Sequence, residues 1–155
     1  MRKALFTGTF DPFTAGHADI VRRALPLFDG IIIGVVGDNV HKPQMTPAAV
    51  RCEAIASLYA GEPRIEVKVF NGLAVSLARD EQAACFIKGV RSLKDFEYER
   101  DMADINRRLS GIDTLLLFAD PSLSAVSSSV VRELRHFGCD VSPFLPQQPA
   151  EGANE

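Results

Sequence analysis

Cysteine is scarce in this chain, with three among 155 residues, and Cys52, Cys85 and Cys139 show neither CxxC spacing nor a nearby histidine pair. An odd, scattered set excludes a disulfide framework and a zinc knuckle, and fits a reducing cytoplasm. Positive charge is not in excess either: 17 basic residues face 20 acidic ones, for a formal net charge of −3. A nucleic-acid partner is therefore not expected, because such binders displace counterions with a broad basic surface. No apolar run approaches the ~20 residues of a membrane span. Met1-Arg2-Lys3 leads into a short apolar stretch without a signal-cleavage pattern, so no membrane partner is expected and the mature chain is expected to start at or near Met1. Internal repeats are missing, as are a GxGxxG fingerprint and a Walker GxxxxGK[ST] loop.

The composition that remains, 46% hydrophobic and 24% charged, is that of an ordinary globular domain. A chain of this length buries about 70% of its unfolded surface and needs no covalent or metal staple. Residues 1–146 are expected to form a single domain, and the polar, proline- and alanine-bearing residues 147–155 a disordered tail.

Periodicity places strands at Ala4–Phe6, Gly30–Val36, Ile65–Val69, Cys85–Ile87 and Leu115–Phe118. Ile65, Val67 and Val69 alternate with charged residues, which puts that strand nearer an edge. Helical spacing links Ile20, Val21, Ala24, Leu25 and Phe28, with Pro26 ending or kinking the helix. Thr46-Pro47 reads as an N-cap with proline at the first helical position, followed by an apolar face of Val50, Ala54, Ile55 and Leu58 up to Gly61. Leu73 to Arg79 is helical. Tyr98, Met102, Ile105 and Leu109 share one face of a further helix, with Tyr98 expected inward. Ser127 to Phe137 forms a last helix, closed by Gly138, and His136 near its C-terminus is given no catalytic role. This alternation predicts an α/β fold: a doubly wound five-stranded parallel sheet with helices on both faces.

In such sheets ligands bind beyond the carboxyl ends of the strands. After the first strand, Thr7-Gly-Thr-Phe-Asp-Pro-Phe-Thr-Ala-Gly-His17 leads into a helix, where unpaired N–H groups and the dipole favour an anion. His17 is open to two readings, a solvent-facing histidine or a donor to phosphate. After the last strand come Ser127, Ser128 and Ser129, either a plain N-cap with two solvated neighbours or a second anion cradle. Two anion-favouring helix starts at opposite ends of the sequence can meet in one cleft of a doubly wound sheet. Lys88-Gly89-Val90-Arg91 ends a buried strand in two cations, and His41-Lys42 follows the second strand. The neutralising charge for a polyphosphate is available there.

Gly8-Thr-Phe-Asp-Pro, Thr14-Ala-Gly-His17, Gly89-Val-Arg91, Asp95-Phe-Glu-Tyr-Glu99 and Val126-Ser-Ser-Ser-Val-Val-Arg132 occur in this order. Together they resemble the bacterial phosphopantetheine adenylyltransferases of the nucleotidyltransferase superfamily, over nearly the whole chain from Lys3 to about Pro146. The resemblance implies a Rossmann-like nucleotidyltransferase fold. It also implies transfer of the adenylyl group of ATP to 4′-phosphopantetheine, with Mg2+ accompanying ATP, in a homohexamer that coenzyme A inhibits by feedback. By the same resemblance His17 and Thr9 are catalytic. Thr9, Phe10, His17, Gly89, Val90, Arg91, Glu99, Leu123, Ser124, Ala125, Val126, Ser127, Ser128 and Ser129 meet ATP, and Thr9, His41, Ala74 (or Leu73) and Lys88 meet the acceptor. No residue is assigned as a metal ligand.

Two positions depart from the family pattern. His41 occupies the position of its catalytic lysine, with Lys42 adjacent and expected to supply the charge. Lys88 replaces an arginine, exchanging a bidentate fork for a point charge. Alternative readings are a nucleotidyltransferase acting on nicotinate mononucleotide or glycerol phosphate, or a non-catalytic nucleotide or coenzyme A sensor.

Overall fold

The computed structural model describes residues 1–38 and 45–147; His41, Lys42 and most of the expected tail lie outside the described residues. Five strands, β1 (Lys3–Gly8), β2 (Gly30–Val36), β3 (Ile65–Phe70), β4 (Cys85–Val90) and β5 (Asp113–Phe118), alternate with five helices. The helices are α1 (Ala15–Ala24), α2 (Ala48–Leu58), α3 (Ala74–Asp80), α4 (Leu93–Ser110) and α5 (Ser128–His136). All strand pairs are parallel, in the order β3-β2-β1-β4-β5.

Period-two alternation sends the strand residues to two cores. Ala4, Phe6, Ile31, Ile33, Val35 and Ile87 bury against Ile20, Val21 and Ala24 of α1 and Ile55 of α2. Leu5, Ile32 and Phe86 face the other way, onto Val75 and Ala78 of α3. Helices thus cover both faces, as the apolar strands require. β3 is an edge, and its wet positions form ion pairs from Glu66 to Lys3 and Lys68 and from Lys68 to Glu81. Pro26 lies in a short 3-10 turn (Leu25–Leu27) that ends α1.

Four local expectations are corrected. Pro47, not Thr46, is the N-cap of α2, and its ring carries no group that could accept a capping hydrogen bond. The free Ala48 N–H is instead taken by the Asp38 carboxylate at 2.7 Å. The buried face of α2 is Ala48, Arg51 and Ile55, while Val50 and Ala54 are exposed. β4 continues through Lys88 and Gly89 to Val90, because the lysine stem is buried and the backbone still pairs with Leu116 and Leu117. On α4 the expected apolar face points outward: Tyr98 is 63% exposed, and Met102, Ile105 and Leu109 are exposed too. The less exposed positions of that helix are Asp95, Glu99, Ala103, Asp104, Asn106 and Ser110, a polar and small face at helical spacing.

The strand order reverses between β1 and β4. This switch point opens a crevice outside their carboxyl ends.

Candidate active site

The crevice is a cleft of about 370 Å³ lined by residues from five segments: Phe6–Phe10 at the end of β1 and just beyond it, Thr14–Ile20 at the start of α1, the end of β4 with Glu99, Ala119 after β5, and Leu123 with Val126–Ser129 before and into α5. The two helix starts lie side by side. A Cβ placed on Gly16 would sit 3.8 Å from the Val126 carbonyl oxygen.

Thr14 caps α1 in a reciprocal arrangement with His17. The Thr14 backbone N–H donates to His17 Nδ1 at 2.9 Å. Nδ1 therefore carries a lone pair, and the ring proton of the neutral imidazole is on Nε2. Three aromatic rings enclose the imidazole, with centroids 5.0 Å away for Phe10, 5.3 Å for Phe13 and 6.3 Å for Phe6. Burial, reinforced by the charges of Arg91 and Lys88, lowers its pKa from 6.5 to about 4. His17 is thus neutral at pH 7 and donates from one fixed nitrogen, not a histidine simply turned to solvent.

The loop that carries Thr9 is tightly formed. Phe10 has φ +53°, a region that bulky residues enter at a cost of about 1–3 kcal/mol. Its ring lies under Gly8, where a Cβ would stand 2.9 Å from the ring carbons. Asp11 is buried; its carboxylate accepts from Thr46 N at 3.1 Å and its carbonyl from Arg132 Nη1 at 2.6 Å.

Of the three serines, Ser127 caps α5 by accepting from Val130 N at 3.2 Å. Ser128 donates its hydroxyl to the Pro12 carbonyl at 2.8 Å, tying α5 to the β1 loop, and Ser129 accepts from Arg132. The unpaired N–H groups at this helix start, rather than three free hydroxyls, form the anion-favouring element.

From β4, Lys88 donates to the Thr7 carbonyl at 2.9 Å. Burial holds its ammonium below the usual lysine range, opposed by Glu99; burial also raises the Glu99 carboxyl, opposed by Lys88. Arg91 donates to the Ser124 carbonyl at 3.3 Å and pairs with Asp95 at 3.5 Å. Gly89 lies where α1 crosses β4: a Cβ there would meet Ile20 Cγ1 at 2.9 Å.

The cleft thus brings together Thr9, Phe10, His17, Lys88, Gly89, Arg91, Glu99, Leu123, Val126, Ser127, Ser128 and Ser129. Ala74, Val90, Ser124 and Ala125 do not line it: Val90 is buried and Ala74 packs on the core beneath α3. Sequence reasoning passed over Asp11, Asp38, Arg51 and Arg132, which hold the loops. For Arg51 a signal was present, since it falls at i+3 from Ala48 and i−4 from Ile55 on a helix face that is otherwise apolar. A second concavity of about 380 Å³ lies behind the Phe10–Phe13 segment, with mainly apolar walls from α2 and Leu145. Neither His17 nor the serines reach it.

Among the described residues no three His, Cys, Asp or Glu side chains cluster as metal ligands, and no helix is long and apolar enough to cross a membrane. The donor set of the cleft (N–H groups, hydroxyls, an imidazole and cations) suits an anion. It can fix the oxygens of a phosphate chain while leaving others to a metal ion.

The cytidylyltransferase-like family model matches residues 5–134. The phosphopantetheine adenylyltransferase of Porphyromonas gingivalis is 54% identical over 144 residues, covering 93% of this chain and 94% of that protein. That of Phocaeicola vulgatus is 48% identical over 147 residues, covering 95% and 97%. Among solved structures, a candidate nicotinate-nucleotide adenylyltransferase from Vibrio parahaemolyticus superposes with a TM-score of 0.66 at 18% identity, covering 95% of this chain and 88% of that one. At that identity the likeness concerns the fold.

Proposed function

The chain belongs to the phosphopantetheine adenylyltransferases, within the cytidylyltransferase-like family, and from that premise we propose that it transfers the adenylyl group of ATP to 4′-phosphopantetheine. A phosphate oxygen of the acceptor attacks the α-phosphorus and forms the new anhydride bond of dephospho-coenzyme A. The bond from that phosphorus to the α–β bridging oxygen breaks, and pyrophosphate departs with the electron pair.

The observation that carries this reading is the neutral His17 beside two helix N-termini. The acceptor phosphate is already anionic near neutrality, its second pKa being about 6, so no general base is needed. What remains is alignment and stabilisation of charge on phosphoryl oxygens. His17 Nε2–H donates to an α-phosphate oxygen. Thr9 orients the attacking phosphate, with Lys88 beside it and Ala74 or Leu73 on the pantetheine side; Lys42, outside the described residues, is the further charge this reading calls on. Ser127, Ser128, Ser129 and Arg91 hold the β- and γ-phosphates. Gly89 and Glu99, with Phe10, Leu123 and Val126, receive the nucleoside end. Where Mg2+ accompanies ATP, the substrate's own phosphates would hold it, in the manner usual for this cation, and it would supply charge neutralisation there.

Three further features belong to the same proposal: a homohexamer, feedback inhibition by coenzyme A, and a cytoplasmic location. The unpaired thiols Cys52, Cys85 and Cys139 are in keeping with the last.

Pyrophosphate release from ATP, measured in parallel with 4′-phosphopantetheine, nicotinate mononucleotide and glycerol 3-phosphate, tests the reading. Release is expected with the first alone. Silence with the first, or a faster rate with either of the others, overturns it.

A further inference from the structure

Arg51 is 3% exposed on α2, at the buried end of the cleft's first loop. Its guanidinium gathers three backbone carbonyls from segments far apart in sequence. Nε donates to Thr46 O at 2.7 Å, and Nη1 donates to Thr9 O at 2.6 Å and to Val36 O at 2.9 Å. Nη2 stands 3.7 Å from the Asp38 carboxylate, which itself caps α2 through Ala48 N.

A buried cation carries a desolvation penalty that an apolar side chain on the same face would avoid. Hydrogen bonds from a charged donor offset it. The carbonyls chosen are informative. Thr9 lies beyond β1 and Val36 is the last residue of β2, so neither carbonyl belongs to the middle of a ladder. Thr46 lies before α2. A planar fork can hold three such groups in one fixed arrangement, which a lysine cannot.

We propose that Arg51 is a positioning residue for the acceptor phosphate. By fixing the Thr9 carbonyl against the ends of β2 and α2, it sets where the Thr9 side chain meets the attacking phosphate. This rests on the adenylyl-transfer reading above. The serines of α5, Gly89 and Arg91 make no hydrogen bond to Arg51. Arg51 thus reaches the cleft through the Thr9 carbonyl and not through the groups assigned to the β- and γ-phosphates, so the main consequence of removing the fork falls on the acceptor that Thr9 orients.

The test is steady-state pyrophosphate release with ATP and 4′-phosphopantetheine for Arg51→Lys and Arg51→Gln, alongside ATP affinity by calorimetry and thermal melting of each variant. Wild-type turnover is the control for the reaction itself: without it, the adenylyl-transfer reading fails and not the Arg51 role. With wild type active, the expected result is a rise in KM for phosphopantetheine and a fall in kcat, each roughly 10- to 100-fold, as small misplacements of a reacting group produce. ATP affinity should stay within about threefold, since the fork makes no hydrogen bond to the α5 serines, Gly89 or Arg91. Unchanged kcat and KM in a folded variant overturn the proposal. So does a parallel loss of ATP affinity, or failure of both variants to fold, because either makes Arg51 a residue of stability alone.

Discussion

The His17 ring holds its proton on Nε2 because the Thr14 N–H occupies Nδ1, and its pKa of about 4 keeps it uncharged in the free protein. Removing a well-placed donor to a developing oxyanion costs about 3–4 kcal/mol. His17→Ala should therefore lower kcat by roughly 10²- to 10³-fold while ATP affinity by calorimetry changes little; a kcat within tenfold of wild type would show that the donor is elsewhere. The same pKa fixes a pH dependence. Between pH 6.5 and 4 the unfolded chain binds a proton that the folded ring does not, so the folded state loses stability as the pH drops through that window and regains it as the pH rises. A His17→Gln chain should lose that part of the pH dependence of Tm. In activity, kcat/KM for phosphopantetheine should show an acid limb near pH 6 from the substrate's own phosphate, and His17→Gln should retain that limb.

Lys88 carries the opposite liability. Its burial lowers the ammonium pKa, so its charge disappears at a lower pH than that of a surface lysine. Lys88→Arg restores a charge that does not titrate. On the proposed acceptor role, KM for phosphopantetheine should climb toward alkaline pH in the wild type and stay flatter in Lys88→Arg. Parallel profiles for the two proteins would remove Lys88 from the acceptor site.

At the scale of elements, the approach of α1 to β4 depends on Gly89 having no side chain, since a Cβ would stand 2.9 Å from Ile20 Cγ1. Gly89→Ala should cost about 1–3 kcal/mol by overpacking, seen as a lowered Tm. Adding Ile20→Ala should cost less in that background than in the wild type, a coupling that a double-mutant cycle measures; additive effects would mean the two residues do not meet. The strands were legible in the sequence for a related reason: β1 and β2 are buried on both faces, and their apolar runs have no other use. The anion-favouring starts of α1 and α5 were legible too, because threonine and serine caps are local signals. What escaped was whatever depends on distant partners. Asp38 caps α2 from ten residues upstream, Ser128 gives its hydroxyl to Pro12 across the molecule, and the carbonyls that make Arg51 worth burying lie in three separate segments. Lys88 and Gly89 seemed by residue type to end β4, yet the backbone ladder continues through them.

Across the whole molecule, a net charge of −3 coexists with an anion-receiving cleft because Lys88, Arg91 and the two helix starts act over a few ångströms, while the acidic excess is spread elsewhere. A second imbalance lies on the outer surface. The apolar stripe of α4 turns away from its own sheet, and the neighbouring β5 edge adds Leu115 and Phe118, the latter 75% exposed. A helical stripe of this kind is built to be covered, and a contiguous exposed apolar patch marks an interaction surface. In the proposed homohexamer the cover is the same stripe or edge of another copy. Ile105 is 49% exposed, so Ile105→Glu leaves the core of one chain intact but places a charge where a partner would have to desolvate it. The expected outcome is a shift from hexamer to smaller species in sedimentation or light scattering, with the far-ultraviolet circular dichroism of the wild type. Arg100→Glu, a change of charge that replaces no apolar contact, should leave the assembly as it was. If Ile105→Glu sediments as the wild type does, the stripe is not the assembly surface. A wild-type chain that runs as a monomer at micromolar concentration would remove the hexamer itself.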